Sequence, residues 1–86
     1  MSYRIEVMQE ADDTLRKLDS SVRKRVFLRL KWLSMNLDNI KHPMLTGKLH
    51  GLYKHRMGDY RILYSIDKTN KIVFIHRFGH RRDIYD

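Results

Sequence analysis

The sequence predicts an α+β domain in which two N-terminal helices pack on one face of a mostly antiparallel four-stranded sheet, in the chain order strand, helix, helix, strand, strand, strand. Three observations carry this. Apolar residues alternate at a period of two over residues 2–8, they recur at spacings of three and four from Ala11 to Leu37, and a Gly58-Asp59 pair stands between two aromatic and aliphatic runs. With 86 residues the chain is one domain, 1–86, with a single modest core.

The first strand is marked by Tyr3, Ile5 and Val7 alternating with Arg4 and Glu6. A first helix follows over 9–18, with Ala11, Leu15 and Leu18 on one face and Glu10, Asp12 and Asp13 in the first turn, where the helix dipole favours negative charge. Asp19-Ser20-Ser21 interrupts it and offers N-cap side chains for a second helix, without the Glu or Gln that completes a capping box. That helix carries Val22, Val26, Leu30, Leu33 and Leu37 as one apolar stripe, with Arg23, Lys24, Arg25, Arg29 and Lys31 on its basic side. Phe27 and Trp32, beside the stripe, read as core or helix-packing aromatics. Residues 36–46, with the only proline, read as a loop to the sheet, and His42 within it as solvent-exposed. The polar cluster 67–70 reads as a turn, and 71–78, rich in Ile, Val and Phe, as the last strand, followed by a tail from Gly79.

The central hairpin organises the rest. Gly at the first loop position is what a two-residue type II′ turn needs, because that position has positive φ. A two-residue turn sets Met57 opposite Tyr60, Arg56 opposite Arg61, His55 opposite Ile62 and Lys54 opposite Leu63. Tyr60, Ile62, Tyr64 and Ile66 then face the core with Met57 and His55, while Lys54, Arg56 and Arg61 face the other way. Like charges directly opposite each other destabilise a strand pair. Facing arginines therefore predict something anionic between them. His55 and His76 read as core-facing, the latter on one face with Phe74 and Phe78, and Arg81 taken alone reads as a partner of Asp83 at the end of the sheet.

Composition narrows the function. Eighteen Lys and Arg against ten Asp and Glu give a net charge of +8, which calls for a polyanionic partner such as nucleic acid, or an acidic protein. The chain has no cysteine, so disulfides, thiolate metal sites and Cys nucleophiles are excluded, and the five histidines lack ligand spacing; no metal or cofactor is expected. No apolar run approaches the roughly 18 residues of a membrane span, and the polar N-terminal segment is unlike a signal peptide. The expected location is the cytoplasm, without membrane contact.

The run Gly51-Leu52-Tyr53-Lys54-His55-Arg56-Met57-Gly58-Asp59-Tyr60-Arg61, with Gly79-His80-Arg81-Arg82-Asp83-Ile84-Tyr85 about twenty residues on, resembles the RelE/ParE toxin superfamily of bacterial type II toxin-antitoxin modules. The loop with Pro43, Leu45 and Gly47 fits it too. Resemblance to RelE implies a RelE-like fold and a ribosome-dependent messenger RNA endonuclease that inhibits translation, with a RelB-like antitoxin and messenger RNA on the bacterial ribosome as partners. Resemblance to ParE implies instead a non-nuclease toxin that poisons DNA gyrase. On the RelE reading Lys54, Arg56, Arg61 and Arg81 bind RNA phosphate, and the catalytic set is Lys54, Arg61, His80, Arg81 and Tyr85. The strand glutamate that some members use as base has no counterpart, since Glu6 and Glu10 are the only glutamates. Tyr85 also stands closer to Arg81 than in the best-known RelE pattern.

Metal-free cleavage uses the 2′-hydroxyl as nucleophile, so the enzyme must neutralise the phosphorane, take a proton from the 2′-oxygen and give one to the 5′-oxygen. Arginines suit the first task because their guanidinium groups stay charged and bind phosphate bidentately. His80, with an unperturbed pKa of about 6.5, suits proton transfer, as would Tyr85 or Lys54 in a dense cationic site. Base and acid are left unassigned between them.

Overall fold

The computed structural model describes residues 2–43, 45, 47, 51–80 and 82. Strand β1 (Arg4–Val7) is followed by helices α1 (Gln9–Arg16) and α2 (Ser20–Asn36), a short 3-10 turn (Leu37–Asn39), and strands β2 (Tyr53–Met57), β3 (Tyr60–Asp67) and β4 (Ile72–His80). The sheet order is β1-β4-β3-β2, with β1 parallel to β4 and the other pairs antiparallel. This is the predicted architecture.

Local chemistry explains each helix. In α1, Ala11 and Leu15 are buried, and Arg16 closes an ion pair to Asp12 one turn back at 2.9 Å. In α2, Asp19 is the N-cap and its carboxylate accepts from the Ser21 amide at 2.8 Å; these bonds hold the Asp19 carboxyl below the usual range. Val26, Leu30, Leu33 and Leu37 are buried against Ile62, Tyr64, Val73 and Ile75 of the sheet. The carbonyl of Ser34 accepts from the Tyr3 amide at 3.0 Å, and the Tyr3 hydroxyl donates to Asp38, fastening the end of α2 to the start of β1.

Phe27 and Trp32 are not in the core. Both are exposed, because only the Val26, Leu30, Leu33, Leu37 stripe meets the sheet and these two lie on other sectors of the helix. His42 is also placed differently from expectation. Its Nε2 contacts the Leu37 carbonyl at 2.7 Å, which can only accept, so that nitrogen carries the proton and Nδ1 accepts from the Tyr64 hydroxyl. Burial pushes the Tyr64 phenol well above its ordinary pKa, so it stays a donor.

Two features of β4 differ from the pattern in the sequence. The strand runs on through Gly79 and His80, pairing them with Arg61 and Tyr60. It also contains a bulge: Leu63 pairs with Arg77 but Tyr64 with Ile75, leaving His76 as the extra residue. The bulge resets the alternation, so Phe78 enters the core while Phe74 and His76 turn to the opposite face, where the Ser65 hydroxyl and His76 Nε2 lie 2.8 Å apart.

The hairpin register is the predicted one, Met57 with Tyr60, Arg56 with Arg61, His55 with Ile62 and Lys54 with Leu63. Gly58 has φ +61°, and among the described residues the only residue other than glycine with positive φ is Lys71, φ +56°, in the turn before β4. No described helix is long and apolar enough to cross a membrane. Gly58→Ala would force a side chain into the left-handed region and should lower unfolding free energy by about 1–2 kcal/mol; urea titration of the variant against the parent measures it.

Candidate nucleic-acid interface

The helices cover one face of the sheet, and the alternation of β2 and β3 sends Lys54, Arg56 and Arg61 to the other. Lys54 and Arg56 are exposed and Arg61 is half-buried. Within the chain the two facing guanidinium groups meet a neutral carbonyl oxygen, not an anion. Arg56 Nε donates to the Gly58 carbonyl at 3.3 Å and Arg61 Nη1 to the same oxygen at 3.2 Å, with a second bond to the Tyr60 carbonyl at 3.1 Å. A shared carbonyl dipole thus gathers both side chains at the hairpin turn and offsets part of their repulsion. It leaves both charges uncancelled. None of the ion pairs among the described residues involves Lys54, Arg56 or Arg61. Each guanidinium keeps N–H donors free, which is what bidentate phosphate binding requires.

His80 is brought to the same end of the sheet but to the other side. Its register partner is Tyr60, whose ring it meets edge-on at 5.8 Å, and Tyr60 in turn stacks on Phe78 at 5.1 Å. There His80 lines a cleft of about 470 Å³ with Glu10, Thr14 and Leu18 of α1 and Arg77, whose Nε donates to Glu10 Oε2 at 3.3 Å. The Arg82 amide donates to His80 Nδ1 at 3.2 Å, so the neutral ring carries its proton on Nε2. Arg81 and Tyr85 lie outside the described residues.

Sequence reasoning missed the Ser65–His76 pair and the His42–Tyr64 link. Both join residues far apart in the chain, and His76 lies on the open face because Val73 and Ile75, not Phe74 and His76, are the core-facing set of β4. His55 faces the core as expected, but its Nε2 is buried without a partner beneath Trp32, against which the ring stacks at 5.8 Å. No group of three or more His, Cys, Asp or Glu among the described residues is arranged to hold a metal.

Two helices on one face of a four-stranded sheet in this element order form a RelE-like fold. The fold is similar to the toxin-antitoxin complex RelBE2 of Mycobacterium tuberculosis (TM-score 0.79, 29% identity, 94% of this chain and 100% of that one). It is similar also to the archaeal RelE-RelB complex of Pyrococcus horikoshii (TM-score 0.75, 25% identity, 96% and 99%). The chain belongs to the ParE toxin family of type II toxin-antitoxin systems, whose model matches residues 5–85. Among curated relatives, Toxin RelG of Mycobacterium tuberculosis is 42% identical over 53 residues, 56% of this chain and 61% of RelG. The putative toxin RelE4 of Methanocaldococcus jannaschii is 27% identical over 89 residues, 96% of this chain and 90% of that one.

Burial lowers the pKa of His55 and of His76, with Arg29 and then His42 adding to the effect at His55. The unfolded chain therefore binds more protons below about pH 6.5, and stability is full above that value and falls as pH drops from it toward the lower folded-state values. His55→Phe keeps a ring against Trp32 and removes the unpaired nitrogen. It should match or exceed the parent at about pH 7 and lose less stability at about pH 5.5, measured by urea unfolding at the two values.

Proposed function

We propose that this type II toxin is a metal-independent endoribonuclease that cleaves messenger RNA on the ribosome by attack of a 2′-hydroxyl on the adjacent phosphorus. The observation that carries the reading is the trio of Lys54, Arg56 and Arg61 on the uncovered sheet face, with the two arginines drawn together at the Gly58 carbonyl. Arg61 and Arg56 present free N–H donors to a phosphate and to the extra charge of the phosphorane. Lys54 shares that face and has an exchangeable proton. In this reading Arg81 adds a third guanidinium and Tyr85 a second proton-transfer group from the C-terminal segment. His80 takes part only if the RNA chain bends round the end of β4 into the cleft beside α1.

The family model that matches is that of ParE toxins, which favours a second reading, inhibition of DNA gyrase without cleavage. The relatives named RelG and RelE4 and the RelE structures favour the first. Expression in cells separates them: cuts in translated messages support the nuclease, and gyrase-linked DNA breaks overturn it.

A further part of the proposal is a cognate RelB-like antitoxin with an acidic amphipathic segment that covers apolar surface beside the helices and neutralises the basic site. Such a contact is partly apolar, so the purified complex should survive moderate salt, whereas a purely electrostatic one dissociates as ionic strength rises. Size-exclusion chromatography across a salt series reads the difference.

Arg61→Ala should cost about 2–4 kcal/mol of transition-state stabilisation, roughly 30- to 1,000-fold in single-turnover cleavage on ribosomes, and Arg81→Ala a similar amount. Arg61→Lys should recover part of it, since charge is kept and the fork lost. The Arg61→Ala protein should be at least as thermally stable as the parent, because removing one of two facing guanidinium groups relieves their repulsion rather than a packing contact. A folded, fully active Arg61→Ala removes the residue from the mechanism.

A further inference from the structure

A cleft of about 470 Å³ opens between α1 and the end of β4, on the side of the sheet away from Lys54, Arg56 and Arg61. Its volume is that of a small-molecule site rather than of an ion. One wall is aromatic. Tyr60 is half-buried and lies on the buried Phe78 ring, 5.1 Å between centres and 11° from parallel, which fixes its plane at the cleft. Leu18 of α1 adds apolar surface. The rim is polar. Arg77 Nε donates to Glu10 Oε2 at 3.3 Å, and the two side chains are 36 and 66% exposed, so the pair stands at the mouth within reach of a ligand. That bond uses one guanidinium N–H and one carboxylate lone pair, and leaves the Arg77 Nη donors and further Glu10 lone pairs to a guest.

This lining selects first by charge and then by pattern. A lone phosphate is repelled by Glu10 and a cation by Arg77. A purely apolar guest would strip water from the ion pair and give nothing back. A flat heterocycle with donors and acceptors along one edge satisfies the whole cleft, with its π face against Tyr60 and its edge on the ion pair. Along that edge the pair presents one donor, from Arg77, and then two acceptors, from Glu10. Guanine alone among the RNA bases carries the matching row, the O6 acceptor followed by the N1–H and N2–H donors. Adenine and cytosine can set only one acceptor beside one donor there, and uracil brings a second carbonyl against the carboxylate. We infer that the cleft between α1 and β4 is a binding site for a guanine base. The site lies across the sheet from the phosphate contacts of the cleavage reading and needs no bond to be cut, so it stands or falls apart from that reading.

Calorimetric titration of the full chain with guanosine, adenosine, cytidine and uridine tests the site with no phosphate present to engage the arginines of the open face. Guanosine should bind at least about tenfold more tightly than the other three, the worth of one further hydrogen bond to a charged group. Glu10→Gln keeps the side-chain size but turns one acceptor into a donor. It should bring guanosine down to the affinity of adenosine and keep the parent's melting temperature, because Glu10 is exposed. The His80 ring lies edge-on to Tyr60 in the same cleft, so its NMR proton signals should move saturably with guanosine and stay in place with inorganic phosphate. Uncleavable 2′-O-methyl pentamers then identify the source of the base. UUGUU bound at least about tenfold more tightly than UUAUU assigns the guanine to an RNA chain, and equal binding of the pentamers with guanosine preference retained assigns it to a free nucleotide; either result supports the site. Equal affinity for the four nucleosides, no binding of any of them, a His80 shift produced by inorganic phosphate alone, or undiminished guanosine preference in Glu10→Gln would each overturn the inference. The nucleoside comparison is made on the parent protein and depends on no variant.

Discussion

The two-residue turn at Gly58-Asp59 is the constraint on which the rest depends. A strand register has a period of two, so a slip by one residue would exchange every side chain of β2 between core and open face. Gly58 prevents the slip because its positive φ closes a turn of one length and one twist. From that register follow the burial of Met57, Ile62 and Tyr64, the exposure of Lys54 and Arg56, and the meeting of Arg56 with Arg61. The same turn supplies the carbonyl that both arginines share. Core and candidate site thus depend on one backbone feature.

The bulge at His76 is the second device. Without it, β4 would keep a single alternation from Ile72 to His80, and the helix-facing set Val73 and Ile75 would continue to Arg77 and Gly79 rather than Phe78. One added residue lets Val73, Ile75 and Phe78 all enter the core and leaves Ser65, His76 and Phe74 on the open face. Ser65 stands four residues, roughly 13 Å, along β3 from Arg61. It also puts His80 on the Tyr60 side. Arg56 and Arg61 on one side and His80 on the other consequently occupy opposite surfaces at the same end of the sheet, and the nuclease reading places its weight on Lys54 and the arginines.

Helix α2 is apolar on two sides. Its inner stripe is the larger part of the helical contribution to the core, and on its outer side Trp32 has the Arg29 guanidinium 5.6 Å from its ring centre and the His55 ring stacked on it at 5.8 Å. The cationic sheet face and α2 lie on different sides of β2, the strand that carries both His55 and Lys54.

By itself the sequence determined the element order, the helical stripe, the hairpin register and the cationic trio, because each of these depends on local periodicity or on the stereochemistry of one glycine. It also carried the family, through the residues around the hairpin and after the last strand. Only the tertiary structure decided what depends on packing between distant segments. Phe27 and Trp32 have the composition of core residues, but a sheet of four strands can cover one stripe of α2, and these aromatics lie off it. His42 reads as a polar loop residue until Tyr64 and the Leu37 carbonyl give both ring nitrogens a partner. The side on which Phe78 and His80 lie follows from a bulge, an extra residue that no alternation pattern reveals, since its presence is set by the pairing of β4 with β3 and not by β4 alone.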